Sequence, residues 1–210
     1  MKVALYFESE KLIQTSGIGR AFHHQKLALE SAGVEYTTNV EDKFDILHIN
    51  TVGITSTSVI ENARKNGAKV IYHAHSTEED FRNSFILSNQ IAPFMRKHLI
   101  HLYSLADYII TPTPYSKRLL QNYGIEVEIE DVSNGIDLNR FNYNEEKVKA
   151  FRRYFSLSDD QKVVISVGLY FERKGIQDFM EVAKYFPDVK FIWFAYTPMI
   201  SIPKSVRDLI

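Results

Sequence analysis

The stretch Ser58–His75, SVIENARKNGAKVIYHAH, decides how this chain is read. Residues 58–66 read as a helix, closed by Gly67, which suits the left-handed position that ends many helices. The run Lys69–His73 is apolar and too short for a helix, so it reads as a buried strand. It ends in His73-Ala74-His75-Ser76-Thr77, an abrupt change to polar residues. A helix, a glycine, a buried strand and a polar strand end form the repeating unit of an α/β fold with a parallel sheet.

The same alternation continues in both directions. Toward the N-terminus, Lys2–Phe7 reads as a strand and Glu8–Ser16 as a polar loop leading into Gly17-Ile18-Gly19. A helix is predicted from about Arg20 to Ser31, with Ala21, Phe22, Leu27 and Leu29 in the core. Val34–Thr38 and Phe44–Ile49 are further strands, the second ending in Asn50. Toward the C-terminus, residues 78–88 give no clear pattern. Ile91–Ala106 reads as a helix, Tyr108–Thr111 as a strand, and Pro112 and Pro114 as the punctuation of a loop. Ser116–Tyr123 is a helix stopped by Gly124, and Glu128–Val132 is a strand feeding Ser133-Asn134-Gly135-Ile136-Asp137.

Beyond this the chain begins again. Glu145–Phe155 reads as a polar connecting helix. Lys162–Val167 is a β-branched strand ending at Gly168, Gly175–Tyr185 a helix, and Val189–Ala195 a second strand, with the start of one more helix near Lys204. The expected architecture is α/β: a Rossmann-like parallel sheet flanked by helices over residues 1–143, then a connector over 144–160. Residues 161–210 are expected to begin a second α/β domain that two strands and one or two helices leave truncated.

Composition narrows the function. Among 210 residues, 45% hydrophobic and 24% charged side chains fit an ordinary globular core. The net charge of −1 shows no basic excess, which argues against a nucleic-acid partner. With no cysteine, neither disulfides nor thiolate metal sites are available, as suits a reducing cytoplasm. The apolar run Val3–Phe7 is shorter than a secretory signal core, and no stretch approaches the roughly 20 apolar residues of a membrane span. A cytoplasmic location is expected, at most peripheral on the inner face of the cell membrane.

In parallel sheets, ligands bind beyond the carboxyl ends of the strands. Gly17 and Gly19, Asn50, His73 and His75, and Asn134 and Gly135 all fall there. Gly17-Ile18-Gly19 opens a helix whose free N–H groups suit an anion or a hydroxyl-bearing substrate. The plainer alternative is a pair of glycines making a turn. Phe22 stands where a dinucleotide fingerprint needs its third glycine. His75 is placed to hydrogen-bond a sugar hydroxyl or a phosphate, unless it merely packs at the strand end. No third ligand with metal-site spacing accompanies it, so no metal is expected. Arg173-Lys174 at a helix entrance suits a diphosphate, the alternative being a solvated turn. Arg96 and Lys97 lie among Phe94, Met95, Leu99 and Ile100, a basic and apolar mix suited to an anionic membrane surface or to ordinary helix packing. Glu78, Glu79, Asp80 and Arg82 read equally as a solvated helix face.

Several of these segments resemble one family. Ser133–Phe141, SNGIDLNRF, resembles the "NG[VI]D…F" interdomain segment of retaining, GT-B-fold glycosyltransferases of family 4. Val167-Gly168 with Arg173-Lys174-Gly175 resembles that family's "GR…xKG" segment, although Leu169 replaces its usual arginine. Gly17-Ile18-Gly19 resembles the acceptor-side glycine loop. His73–Arg82 is similar to the diacylglycerol glucosyltransferase branch of Gram-positive bacteria. The family's E-x7-E donor motif has no counterpart in these residues.

The resemblance implies a hexosyltransferase whose complete form moves a sugar, expected to be glucose, from a nucleotide-sugar donor such as a UDP-sugar to a lipid or saccharide hydroxyl. Retention of configuration is implied, with no tightly bound cofactor or metal. It implies His75 in the catalytic site, Gly168, Arg173 and Lys174 on the donor phosphates, Gly17 and Gly19 beside the acceptor, and Asn134 and Gly135 in the interdomain cleft. Arg96 and Lys97 would meet the membrane. The 210 residues alone are expected to be inactive. Two other readings remain: a non-catalytic acceptor- or membrane-binding fragment prone to self-association, and an unrelated Rossmann-type nucleotide binder that would hold a nucleotide with residues 1–140 alone.

Overall fold

The computed structural model describes residues 1–14, 16–195, 202 and 204–208. They pack as two compact units, Met1–Glu79 with Pro93–Ile136, and Asp80–Ala92 with Asp137–Ile210. The stretch 80–92, which takes in most of the 78–88 segment that gave no clear pattern and the start of the helix expected from Ile91, thus packs with the second unit.

In the first unit, β1 (Lys2–Tyr6), β2 (Glu35–Thr37), β3 (Ile46–Ile49), β4 (Lys69–His73), β5 (Tyr108–Thr111) and β6 (Ile129–Asp131) form one sheet. Its order is β2-β1-β3-β4-β5-β6, and every pairing is parallel. Strands alternate sides, and two separate cores result. Val3, Leu5 and Phe7 pack with Phe22, Ile18 and Leu29 of α2 (Gly17–Ser31). Ala4, Leu47, Ile49, Val70 and Tyr72 pack on the opposite face. Their partners there are Ile60 and Ala63 of α3 (Ser56–Lys65), Leu99 and Leu102 of α5 (Ser88–Ser104), and Leu120 of α6 (Pro114–Asn122). Helices on both faces are what near-continuous apolar strands require.

Local chemistry sets the helix ends, and in places corrects the sequence reading. A short helix, α1 (Glu10–Ile13), forms inside the expected polar loop, with Glu10 3.5 Å from Lys26 of α2. The helix α2 starts at Gly17 rather than Arg20, because the Ser16 side chain accepts the Gly19 N–H at 3.2 Å. Leu27, expected in the core, is 47% exposed. The stripe of α2 that meets the sheet runs through Ile18, Phe22 and Leu29 instead. Pro114 belongs to no loop. It occupies the first turn of α6, where its missing N–H costs nothing, behind a reciprocal cap between Thr113 and Ser116. At the end of α3, Gly67 takes φ +81°, the left-handed position expected of it.

The second unit contains β7 (Val163–Val167) parallel to β8 (Lys190–Phe194), α7 (Glu145–Tyr154), α8 (Ile176–Lys184) and α9 (Lys204–Arg207). A helical turn, α4 (Glu78–Phe81), runs from the end of the first unit's Met1–Glu79 segment into the 80–92 stretch. Its core is small: Ile176, Ile202 and Val206, packed with Tyr170, Met180 and Trp193. Val167 on β7 is 81% exposed.

The two glycines of the α2 entrance differ sharply. A Cβ on Gly19 would lie 2.2 Å from the Gln14 carbonyl oxygen, whereas one on Gly17 would meet nothing within 4 Å. Gly19→Ala is therefore expected to destabilise the chain by about 1–3 kcal/mol, the usual cost of forcing atoms into packed backbone. Gly17→Ala is expected to stay within about 1 kcal/mol of wild type. Urea midpoints of the two variants check this, and equal effects would contradict the steric reading.

Candidate functional site

The sheet order reverses direction between β1 and β3, and such a reversal opens a crevice at the carboxyl ends of the strands. The polar residues found there come from β3, β4 and α2. Pairing of Ile49 with Tyr72 brings the next residues, Asn50 and His73, to neighbouring strand ends. Asn50 is 1% exposed and His73 5%. The His75 N–H bonds the His73 carbonyl at 3.0 Å, a tight turn that keeps the two rings together. Three imidazoles stack as a result: His48 on His73 at 5.5 Å and 6°, and His73 on His75 at 4.1 Å and 8°.

From α2, Gln25 reaches down to this row. Its Nε2 donates to Asn50 Oδ1 at 2.6 Å and lies 2.8 Å from His73 Nδ1. His75 Nε2 lies 3.2 Å from the same Asn50 oxygen. Among the described residues three polar atoms of the cluster are buried without a partner, Gln25 Oε1, His48 Nε2 and Asn50 Nδ2, and the His73 ring meets the Asn134 side chain. Buried polar atoms normally have partners, so such a concentration marks a place where the protein keeps bonding capacity in reserve.

Burial also fixes the charge of the cluster. Desolvation pushes His48 down to about 3, with repulsion from His73 acting the same way. It pushes His73 down to about 4, against the opposing effect of a hydrogen bond with the Asn134 side chain. His75 falls to about 2, through burial and then its two histidine neighbours. At neutral pH all three are uncharged. Among the described residues no group of three or more His, Cys, Asp or Glu side chains is arranged to hold a metal ion.

Two supports surround the cluster that sequence reasoning missed. Glu8, just past β1, accepts the N–H groups of Ile54 and Thr55 at 3.1 and 3.3 Å, and its own N–H donates to Thr51 Oγ1 at 2.9 Å. It thereby closes the N-terminus of α3 and fixes the loop that follows Asn50, a role an anion fills well. Its signal was an acid set directly after a buried strand. On the other side, His24 Nδ1 of α2 lies 3.1 Å from the Asn134 carbonyl oxygen. Gly135 follows with φ +73°. Asn134 thus joins the cluster, and Gly135 makes the turn beside it.

The other sequence candidates lie elsewhere. Gly17 and Gly19 form the first turn of α2. In the second unit, Gly168, Arg173 and Lys174 come together, with the Lys174 stem packed near Gly168. Arg173 is engaged: Nε donates to Ser84 Oγ at 2.6 Å, and a terminal nitrogen lies 3.4 Å from Asp80. The Lys174 ammonium has no ion pair among the described residues. Arg96 lies over the Tyr123 ring at 4.6 Å and 3.6 Å from the buried Glu78 carboxylate. Lys97 is exposed, and Phe94 nearby is 72% exposed. Glu78, read as part of a solvated face, is buried at 6%. Its N–H donates to the Tyr123 hydroxyl at 2.9 Å, and that hydroxyl donates in turn to Glu79.

The sequence profile of Glycosyltransferase Family 4 matches residues 16–140, more than half of the chain. The chain belongs to this family. Over its whole length it is 48% identical to the processive diacylglycerol alpha-glucosyltransferase of Acholeplasma laidlawii, and it spans 62% of that protein. It is 22% identical to the alpha-galactosylglucosyldiacylglycerol synthase of Streptococcus pneumoniae, over 92% of this chain and 52% of that one. Among solved structures, Anabaena Alr3699/HepE in complex with UDP-glucose matches with a TM-score of 0.62 at 16% identity, over 92% of this chain and 60% of that one. Sucrose-phosphate synthase from Thermosynechococcus elongatus matches with 0.63 at 17%, over 97% and 47%. These likenesses show the α/β fold of GT-B glycosyltransferases.

The neutral histidines of this family 4 chain make its stability depend on pH. Their folded pKa values lie below the ordinary 6.5, so the unfolded chain takes up more protons as pH falls. The stabilising contribution is complete above about pH 7 and is lost progressively as pH drops toward the folded values near 4 and below. A histidine that stays neutral costs roughly 2 kcal/mol of stability between pH 7 and pH 5. Urea midpoints over that range are expected to fall steeply for wild type and less steeply for His73→Gln. Identical slopes would contradict burial of a neutral His73.

Proposed function

We propose that the protein, in its full length, transfers a glucosyl group from UDP-glucose to the hydroxyl of diacylglycerol at a membrane surface, with retention of configuration. The observation that carries this reading is the reserve of uncharged donors and acceptors on Gln25, Asn50 and the histidine row. A sugar hydroxyl both donates and accepts, so a cluster offering both, with no net charge, matches a polyol better than a phosphate. The name and 48% identity of the Acholeplasma laidlawii relative supply the glucosyl group and the lipid acceptor. The UDP-glucose bound to Alr3699/HepE supplies the donor.

In this reading the bond between the anomeric carbon and the diphosphate oxygen breaks, and a bond to the acceptor oxygen forms. The acceptor's proton leaves with the departing diphosphate or to water. The protein's task is then to hold the sugar and to stabilise the charge developing on the leaving group, the term that usually dominates such reactions. The first unit's cluster, with His75 at its outer end, serves the sugar hydroxyls. In the second unit, Lys174 serves the diphosphate, since its ammonium is uncommitted while Arg173 is tied to Ser84 and Asp80. Gly168 lies beside the Lys174 stem, and Gly17, with open space where a Cβ would stand, offers the α2 entrance to an acceptor, while Gly19 lets the Gln14 backbone pack against that turn. Among the described residues no helix is long and apolar enough to cross a membrane. The exposed Phe94 and Lys97 of α5 offer an apolar group and a cation to an anionic surface.

In the full-length protein, His75→Ala and Lys174→Ala are each expected to lower kcat for glucosyl transfer to diacylglycerol in vesicles by about 10²-fold or more. Lys65→Ala, at the far end of α3, serves as control. Wild-type kcat in both variants would remove these residues from the site, and no transfer by wild type would remove the reaction itself.

Membrane contact is checked by sedimenting the protein with vesicles rich in anionic lipid. Phe94→Ser with Lys97→Glu is expected to abolish binding that high salt also weakens. Unchanged binding would exclude this face of α5.

A further inference from the structure

The row of imidazoles is held from above by one residue that no motif singles out. Gln25 sits on the stripe of α2 that otherwise carries Ile18, Phe22 and Leu29 onto the sheet. Its amide is a polar group placed where helix packing asks for an apolar one. An amide nitrogen has two hydrogens and no lone pair. One hydrogen goes to Asn50 Oδ1 at 2.6 Å, so the nitrogen's second contact, His73 Nδ1 at 2.8 Å, must be an acceptor. A neutral imidazole that accepts at Nδ1 carries its proton on Nε2. The Asn50 oxygen lies 3.2 Å from His75 Nε2, and an oxygen of this kind only accepts. His75 therefore also carries its proton on Nε2, and its Nδ1 is the accepting end of the ring.

We propose that Gln25 is the positioning residue of this cluster: by donating both Nε2 hydrogens it selects one tautomer of His73 and one orientation of Asn50, and through Asn50 the tautomer of His75. Two consequences follow for a ligand. His73 Nε2–H becomes a donor turned toward the Asn134 side chain, and Asn50 Nδ2–H a donor held in reserve, buried without a partner. His75 Nδ1 becomes an acceptor. The cluster then offers a ligand hydroxyl a defined donor and a defined acceptor, where unpinned rings would interconvert. Only the identity of that ligand, a sugar, rests on the function proposed above. The opposite arrangement, with both amides rotated, would place protons on His73 Nδ1 and His75 Nδ1 and reverse every role.

The test is the tautomeric state of His73 and His75, read from long-range nitrogen–proton NMR correlations of the ¹⁵N-histidine-labelled chain at pH 7. The expected result is Nε2–H for both rings. Gln25→Glu, whose carboxylate only accepts, is expected to convert His73 to the Nδ1–H form. Gln25→Leu is expected to give a mixture of forms. Wild-type His73 in the Nδ1–H form overturns the proposal, and so does a folded Gln25→Glu variant with an unchanged His73 signal. If neither variant folds, the wild-type spectrum still decides. No substrate is involved, so glycosyl transfer and tautomer control succeed or fail separately. In the full-length protein, Gln25→Glu is further expected to reduce kcat/KM by about tenfold, the scale of one lost oriented hydrogen bond.

Discussion

Everything at the candidate site follows from one constraint: the ends of β3 and β4 carry polar side chains into a place where water is largely excluded. A buried amide or imidazole without a partner costs free energy, and a buried imidazolium costs far more. The chain meets this by neutrality and by bonding. His48, His73 and His75 are held uncharged, and Asn50, Gln25 and His75 share one oxygen between them. What remains unpaired is a small set of neutral donors and acceptors. Such a set is costly to keep unless a ligand uses it.

The scaffold around that set is built to hold it still. Parallel pairing of β3 with β4 fixes the separation of Asn50 and His73. Glu8 closes the start of α3 and so immobilises the loop beyond Asn50, and His24 holds the carbonyl of Asn134. Each support is a backbone group bonded by a side chain from a distant part of the chain, so the site's geometry is over-determined. The second unit uses a different means. Arg173 is spent in joining its own segment to Ser84 and Asp80, 89 and 93 residues away, while the Lys174 ammonium has no ion pair among the described residues.

Much of the fold was legible because buried parallel strands write themselves as short apolar runs, and glycines close the helices between them. Lys69–His73 and Tyr108–Thr111 lie where the runs place them. Less legible were features that depend on which face a residue meets. Leu27 is apolar yet lies off the stripe of α2 that touches the sheet, while Gln25 is polar and lies on it. Telling them apart requires knowing which strands α2 covers. Gly19 invited a ligand-binding explanation, whereas the Gln14 backbone against it gives a steric one. His73 and His75 stood out at a strand end, but their neutrality comes from burial by α2 and by one another. Arg173 and Lys174 look equivalent in sequence, and only the packing of 80–92 separates them.

The histidine row is uncharged and stays so well below the ordinary imidazole range. The most direct measurement is a pH titration of the His48, His73 and His75 ring resonances in the folded chain between pH 7.5 and the onset of acid unfolding. None of the three is expected to titrate in that interval. A midpoint near 6 for any of them would mean that the ring is solvated and carries charge at working pH, and the cluster could then not be the neutral hydroxyl-binding surface described above.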